Sequence, residues 1–196
     1  MVIKLSSKKQ KIAFISIILI AIVFLSYISV QSFWADIYYR QANKLSASAR
    51  TWKEAASKYE KAISISPKNS EYHQEAGKIY SRLSMFYRDD EYFDRAVYHF
   101  KKSYQLNPYN AWAHYHLAWL YWNKNMYIEA EKESKRAIQL DPNNATYHWQ
   151  LAAIYDTTGR LDKAIDEYKE VLRIIPGHGK AKEAIKRVEK KIKAGR

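Results

Sequence analysis

The sequence predicts an all-α fold in which helical hairpins repeat along the chain behind one transmembrane helix. Its 196 residues include only 5 Gly and 4 Pro, too few for the turns of a many-stranded sandwich. The run from residue 12 to residue 30 carries no charge, and prolines recur at intervals of 34 residues in the second half. These observations favour one apolar helix, about four helix–turn–helix units and a C-terminal capping helix.

The uncharged run from Ile12 to Val30 has the length of a membrane span. A helix of this length covers roughly 28 Å, about the hydrocarbon thickness of a bilayer. A cleaved signal peptide usually has a shorter apolar region of about 7–15 residues. We therefore predict an uncleaved transmembrane signal-anchor helix over residues 12–34, with a cleaved signal peptide and a buried core helix as the alternatives.

Charge distribution predicts the orientation of this helix. The net charge of +13 divides into +4 over residues 1–11, +3 over residues 36–176 and +6 over residues 177–196. By the positive-inside rule, residues 1–11 form a basic cytoplasmic tail and the rest of the chain lies across the membrane, in the periplasm if the chain is bacterial. The nearly neutral middle has no basic stripe for phosphates, which predicts no nucleic-acid partner.

Each of the four prolines follows a similar helical segment. Each closes a run of small and apolar residues, the pattern of a second helix that packs inward and then stops. Upstream, the trio Leu117, Ala118 and Tyr121 recurs 34 residues later. A small residue in this trio allows two helices to approach closely, while the aromatic ring fills the space beside it. The four prolines are Pro67, Pro108, Pro142 and Pro176.

These phased positions resemble the tetratricopeptide repeat family, whose repeat length is 34 residues. The resemblance implies a right-handed α-solenoid with a concave groove over residues 36–178. Asn43 departs from the pattern, because a small residue is usual at its position. The implied repeat units are 36–69, 70–110, 111–144 and 145–178.

Two further segments complete the predicted array. Residues 179–196 are predicted to be a basic capping helix and tail, because repeat arrays need a polar-faced terminal cap; a basic patch for anionic lipid or an acidic partner is the alternative. The second repeat is seven residues too long, which predicts one extra turn on each helix and a protruding tip near residues 88–91. The aromatic residues of the added turns either pack on each other or form a second partner contact: Phe86, Tyr87, Tyr92 and Phe93.

The first helix of the third repeat carries a second apolar stripe, centred about 130° from its packing stripe on a helical wheel. The members of this groove stripe are Trp112, Tyr115, Trp119 and Trp122. A helix that is apolar on most sides has to be covered by something. The cover is either a partner in the groove, or the chain's own segments or the membrane. Polar residues Glu71, Gln74, Lys78 and Arg82 take the matching places in the second repeat. The predicted partner-binding residues are Trp112, Tyr115, Trp119, Trp122, Trp149, Lys78 and Arg82.

Motifs for chemistry are absent from the sequence. Zero Cys excludes disulfides, thiol catalysis and thiolate-bound metals, and there is no phosphate-binding loop, zinc-protease motif or nucleophile motif. His73, His114 and His148 share one position in three repeats, which favours packing over a metal site. We predict a non-enzyme without cofactor or metal: a membrane-anchored scaffold, or an assembly or structural subunit, that binds a protein in a bacterial envelope complex. Since aromatic rows also stack on sugars, a polysaccharide-binding module of an export system is the alternative.

Overall fold

A computed structural model describes residues 8–194, and these residues form helices joined by short turns, with no strand among them. The all-α prediction is confirmed. The chain divides into two compact units, Met1–Lys68 (the N-terminal unit) and Asn69–Arg196 (the C-terminal unit). Residues 1–7 of the predicted cytoplasmic tail and residues 195–196 of the predicted basic tail lie outside the described residues.

The N-terminal unit consists of a long helix, α1 (Lys8–Leu45), a short 3-10 turn (Ala49–Thr51) and α2 (Trp52–Ile65). The predicted span over residues 12–34 and the first helix of the first repeat are therefore parts of one uninterrupted helix. Among the described helices, α1 is the one that is long and apolar enough to cross a membrane, and a signal sequence meets the same criteria. Within α1, the hydroxyl of Ser26 donates to the carbonyl oxygen of Ile22 at 2.8 Å, so this polar group is satisfied inside the helix.

The first hairpin packs α1 against α2 through small residues. Ala35 and Ala42 are completely buried. Asn43 is exposed, and its side-chain oxygen accepts a hydrogen bond from the Tyr59 hydroxyl at 2.5 Å. A buried small residue, Ala42, thus lies one position before Asn43, where the repeat pattern expects it.

The C-terminal unit stacks three helical hairpins and a final helix. Four of its seven helix starts are explained by Asn69, Asp89, Asn110 and Asn144, whose side chains each accept a hydrogen bond from a backbone N–H of the first turn. Consecutive hairpins pack on each other, and the final helix packs on the one before it. The helices are α3 (Ser70–Tyr87), α4 (Asp90–Leu106), α5 (Ala111–Asn123), α6 (Tyr127–Leu140), α7 (Ala145–Thr157), α8 (Leu161–Ile174) and α9 (Gly179–Ala194).

The α3–α4 repeat is seven residues longer because its two helices gain eight residues while the turn between them is one residue shorter. Helices α3 and α4 have 18 and 17 residues, against 13 and 14 in α5 and α6. The connecting turn is no longer than that of the next hairpin, and it is entered through Arg88 at φ 55°. Both helices are therefore longer than the corresponding helices of the next hairpin, as the sequence predicts.

Helix α9 covers the last hairpin. Its Ala184 and Val188 belong to one buried cluster with Leu151 of α7 and Tyr168 of α8. Two of its basic residues, Arg187 and Lys191, reach Asp156 of α7 at 2.8 and 2.6 Å. The apolar side of this helix thus closes the core, while its remaining lysines face outward.

Candidate partner-binding groove

Paired polar side chains fix the first helix of each hairpin. His114 Nδ1 lies 2.6 Å from a carboxylate oxygen of Glu133, and His148 Nδ1 lies 2.7 Å from one of Glu167. In the α3–α4 hairpin, the matching contact joins His73 to a second histidine at 3.1 Å. The recurring histidines are buried packing residues, and residues 8–194 contain no group of three or more side chains placed to hold a metal ion.

The aromatic stripe of α5 begins at a cluster shared with α7. Trp112 is 44 % exposed, and its ring centroid lies 5.3 Å from those of both Tyr115 and Tyr147. Tyr115 lies 5.5 Å from Tyr147, which is buried. Burial raises the pKa of the Tyr147 and Tyr115 hydroxyls. This end of the stripe is therefore held in place by the protein's own packing.

The other end of the stripe is less covered. Trp119 and Trp122 are half-buried, and no aromatic ring in the described part of the chain stacks on either indole. The carbonyl oxygen of Trp119 accepts a hydrogen bond from the Asn123 side chain at 2.7 Å, which involves only the backbone of that tryptophan. Both indoles thus retain apolar surface that the fold does not use.

A pocket of about 230 Å³ lies between α3 and α5, beside Trp119. A Cβ on Gly77 would come within 2.7 Å of the Phe100 ring, so the absence of a side chain at Gly77 allows this ring its position. Phe100 stacks on His116 with ring centroids 5.8 Å apart. The lining residues are Lys78, Ser81, Arg82, Phe100, Tyr115, His116 and Trp119.

Positive charge dominates this pocket. Burial, followed by the charges of Lys78 and Arg82, lowers the pKa of His116 to about 4, so its imidazole is neutral at pH 7. Lys78 Nζ also donates to Glu75 at 2.8 Å. The pocket therefore combines two cationic side chains with a neutral imidazole and aromatic walls.

Known structures share this arrangement of hairpins. The crystal structure of MamA protein is 26 % identical, with a TM-score of 0.68 over 80 % of this chain and 81 % of that one. YrrB, described as a tetratricopeptide repeat protein with an unusual peptide-binding site, is 22 % identical, with a TM-score of 0.61 over 80 % of this chain and 76 % of that one. The first tetratricopeptide repeat domain of Spaghetti (RPAP3), bound to the HSP90 peptide SRMEEVD, is 18 % identical, with a TM-score of 0.50 over 61 % of this chain and 94 % of that one. No curated protein sequence matches the chain.

The tetratricopeptide repeat profile matches residues 113–144 and 145–178, which are the α5–α6 and α7–α8 hairpins with their connections. Residues 113–178 of this chain are therefore tetratricopeptide repeats. The repeat fold inferred from the phased residues is confirmed by the profile and by the solved structures.

Four of the seven predicted groove residues meet at the pocket, whereas Trp112, Trp122 and Trp149 do not line it. Lys78, Arg82, Tyr115 and Trp119 meet at the pocket. Trp149 is instead held by Tyr168 and His178, with ring centroids 5.1 and 5.4 Å away. In the second repeat, Gln74 accepts a hydrogen bond from Asn110 at 2.7 Å and so takes part in packing between repeats.

Three of the lining residues were not predicted from the sequence. Ser81, 41 positions before Trp122, is its true counterpart in the longer repeat, whereas the helical spacing pointed to the neighbouring Arg82. On a helical wheel, His116 lies about 80° from the centre of the stripe formed by Trp112, Tyr115, Trp119 and Trp122, and so it was not included among the groove residues. The repeat pattern assigns Phe100 to packing alone, although Gly77, in place of the alanine of later repeats, is a signal that a large ring approaches there.

Some aromatic residues at the tip of the α3–α4 hairpin pack against other aromatic rings of the C-terminal unit. Tyr92 stacks on Tyr80 at 6.2 Å and lies 6.0 Å from Tyr87. Phe93 lies 6.2 Å from Tyr121 of α5. Phe86 is 64 % exposed and Tyr87 is 48 % exposed. The predicted second contact therefore divides into a packed part, Tyr92 and Phe93, and an exposed part, Phe86 and Tyr87.

Proposed function

We propose that the chain is a membrane-anchored scaffold that holds a protein partner in the groove of its C-terminal unit. The observation that carries this proposal is the remaining exposed surface of two half-buried indoles, Trp119, which lines the pocket, and Trp122, one helical turn further along α5. Tryptophan is favoured as a binding anchor because it buries a large area at low entropic cost. The rigid attachment of α5 through His114 and Glu133 presents this surface without reorganisation, which reduces the entropic cost of binding.

Relatives support a peptide or protein as the occupant. The YrrB structure is described as having an unusual peptide-binding site, and the RPAP3 domain was solved with an HSP90 peptide bound. We extend the same mode of action to this chain, in which binding brings proteins together without any chemical step. The residues proposed to contact the partner are Trp112, Tyr115, Trp119, Trp122, Trp149, Lys78 and Arg82, with Phe86 and Tyr87 of the hairpin tip as a second contact.

Helix α1 supplies the proposed membrane anchor. Its apolar side chains from Ile12 to Val30 are exposed, and lysines precede them on the N-terminal side. We assign the N-terminus to the cytoplasm and the repeats to the far side of the membrane, the periplasm of a bacterium. In this setting the protein acts as an assembly factor or structural subunit of an envelope complex.

Replacing two indoles tests the binding proposal. We expect Trp119→Ala with Trp122→Ala to release a protein that co-purifies with the full chain in mild detergent, as detected by mass spectrometry, while the helical circular dichroism is retained. Tyr109→Ala is the matched control, because Tyr109 is 85 % exposed and lies in the turn before α5, outside the groove.

Three outcomes distinguish the alternatives. Retention of the partner by the double variant contradicts the groove proposal, as does equal loss in the Tyr109 control. Loss of a retained glycan instead of a protein supports the polysaccharide-binding alternative, since aromatic rows stack on sugar rings.

The absence of cysteine allows a direct test of topology. In the full chain, Ser48→Cys places a thiol after the span, and Lys9→Cys places one before it. We expect a membrane-impermeant maleimide to label the Ser48→Cys variant in intact spheroplasts and the Lys9→Cys variant only after lysis. The reverse pattern contradicts the orientation, and an intact mass that lacks the N-terminal segment contradicts the uncleaved anchor.

A further inference from the structure

Helix α1 continues without a break from the predicted span into the first hairpin. It contains neither Gly nor Pro between Lys8 and Leu45, the residues at which helices most often kink. Ala35, which is completely buried in the packing of α1 on α2, directly follows the predicted span over residues 12–34. The packing of the first hairpin therefore begins where the membrane-spanning part of α1 ends.

Contacts between α1 and α2 define how far α2 returns toward the span. Near the turn, the indole Nε1 of Trp52 donates to the carbonyl oxygen of Ser46 at 3.1 Å. Further along the pair, the ring centroids of Tyr39 and Tyr59 lie 6.0 Å apart. In an antiparallel pair, both helices advance about 1.5 Å per residue in opposite directions. On this register, the end of α2 at Ile65 lies level with the last residues of the predicted span.

The residues of α1 at this level have the composition of a membrane interface. Gln31 and Ser32 are the polar residues that follow the uncharged run. Phe33 and Trp34 come next and are 63 and 50 % exposed. Tryptophan is enriched where a bilayer meets water, because its ring is amphipathic. When α1 crosses a bilayer, the end of α2 therefore lies at the height of the lipid headgroups.

Positive charge is concentrated in this first hairpin. Residues 36–68 contain seven Lys and Arg against three Asp and Glu, whereas residues 69–176 contain fourteen against fifteen. The net charge is therefore +4 in the first segment and −1 in the second. The positive excess of residues 36–176 thus comes entirely from the α1–α2 hairpin.

Lysines of α2 and of the turn after it bring this charge close to the interface. The ammonium groups of Lys58 and Lys61 lie 5.6 and 5.7 Å from the ring centroid of Tyr38. Tyr38 is four residues after Trp34, about 6 Å along the helix, which is within the Debye length of about 8 Å at physiological salt. Lys68 is exposed in the turn after α2. All three lysines are therefore within electrostatic reach of lipid phosphates.

Acidic residues offset only part of this charge. Asp36 forms an ion pair with Arg40 at 2.7 Å, so these two charges balance each other. Glu60 is the other acidic residue of the half of the hairpin nearest the span, residues 31–43 and 56–68. This half contains four basic residues against two acidic ones and keeps a net charge of +2.

From this geometry we propose that the hairpin base, formed by Trp34, Lys58, Lys61 and Lys68, binds the headgroups of anionic phospholipids. The lysines hold the lipid phosphates, and the indole of Trp34 lies at the edge of the hydrocarbon. This contact fixes the orientation of the first hairpin relative to the membrane. The inference rests on the proposed membrane anchor and adds a lipid-binding surface to it.

Fluorescence quenching tests the height of the hairpin base, because a chain without cysteine accepts single labelled sites. Ser64→Cys, near the end of α2, and Ser48→Cys, in the turn between α1 and α2, are matched exposed positions. They differ in height by about 20 Å. Ser29→Cys labels the predicted span. Each full-chain variant carries the fluorophore NBD in nanodiscs that contain phosphatidylcholine with a doxyl group at carbon 5. We expect strong quenching at positions 29 and 64 and weak quenching at position 48.

The class of lipid is tested with the label at Ser64→Cys. The fraction of doxyl lipid that halves the fluorescence should be about fivefold lower for phosphatidylglycerol than for phosphatidylcholine, as expected from one lysine near a bilayer surface. Adding Lys61→Gln with Lys68→Gln should remove this preference. Lys44→Gln with Arg50→Gln is the matched control, because it removes two charges from the end of the hairpin farthest from the span and should keep the preference.

Each contrary outcome has a defined meaning. Equal quenching by the two lipids overturns the inference, and so does a preference that survives the Lys61 and Lys68 substitutions or is lost equally in the control. Quenching at position 48 as strong as at position 64 overturns the assigned height. Strong quenching at position 29 with weak quenching at position 64 leaves the anchor in place and overturns this inference alone. Weak quenching at all three positions contradicts the membrane anchor itself.

Discussion

Helices α5 and α7 are the first helices of two consecutive repeats. Their packing faces are alike, but their outer faces differ. Leu117 and Leu151 are both buried, and each helix is fixed by a histidine paired to a glutamate. The outer face of α5 carries Trp119 and Trp122, whereas α7 has alanine and Asp156 at the matching positions. The same packing face therefore occurs with and without tryptophan at these two outer positions.

The outer face of α7 has a partner within the chain. Asp156 binds Arg187 and Lys191 of α9. No comparable helix contributes ion pairs to the outer face of α5 within residues 8–194. The comparison indicates that the packing positions specify the repeat whereas the outer positions differ between repeats. Around Trp119 and Trp122, the outer face of α5 has no such ion-paired helix against it within residues 8–194.

Truncating the shared packing position gives the largest expected effect. Leu117→Ala and Leu151→Ala each remove a buried side chain, and each should lower the free energy of unfolding by about 2–5 kcal/mol. Urea unfolding of the full chain in mild detergent, followed by circular dichroism, measures the loss. Ile128→Ala is the control, since Ile128 is 83 % exposed, and it should change stability by less than about 0.5 kcal/mol. A loss confined to one of the two leucine variants would show that the packing faces are not equivalent.

Breaking the contact that covers α7 gives a smaller effect. Asp156→Asn should lower stability by about 1 kcal/mol and free α9, because it weakens two ion pairs whose basic partners are half-exposed. Burial alone raises the pKa of Asp156, but hydrogen bonds from Lys191 and Arg187 outweigh it, and the pKa is lowered overall. The stabilisation is therefore present above the ordinary pKa of 3.8 and is lost as pH falls through the folded-state value.

Amide hydrogen exchange measures this effect by region. We expect faster exchange in α9 of the Asp156→Asn variant and unchanged exchange in α5. Uniform acceleration across both helices would mean that Asp156 stabilises the whole unit rather than the docking of α9.

The sequence predicted the features that depend on periodicity. Equal spacing of prolines and of the Leu117–Tyr121 trio was sufficient for the hairpins, because each repeat meets the same neighbours. The pocket depends on a contact between different repeats, where Gly77 admits Phe100 beside His116. No periodic pattern encodes that contact, because Gly77 and Phe100 belong to the repeat with extra length. In the same way, the exposure of Asn43 and burial of Ala42 reflect local packing against α2.

The smallest expected effect is a dependence on pH that has opposite signs in the two helices. The hydrogen bond to Glu167 raises the pKa of His148 in α7 despite the opposing effect of burial. Its stabilisation is complete below the ordinary pKa of 6.5 and is lost as pH rises through the folded-state value. In α5, His116 has a pKa lowered to about 4, so protonation below pH 6.5 favours the unfolded chain. We therefore expect His148→Gln to destabilise more at pH 5.5 than at pH 9.

His116→Gln should make stability less sensitive to acid between pH 6.5 and pH 4, because it removes a group that binds its proton more readily in the unfolded chain. Urea unfolding at pH 4.5, 5.5 and 9 separates the two variants. If they respond to pH with the same sign, the pKa of His116 is not lowered in the folded chain, and neither its burial nor the charges of Lys78 and Arg82 act on it as described. The opposite signs would distinguish the two helices, with a histidine of α7 that is stabilised by its ion-pair partner and a histidine of α5 that is buried beside two cations.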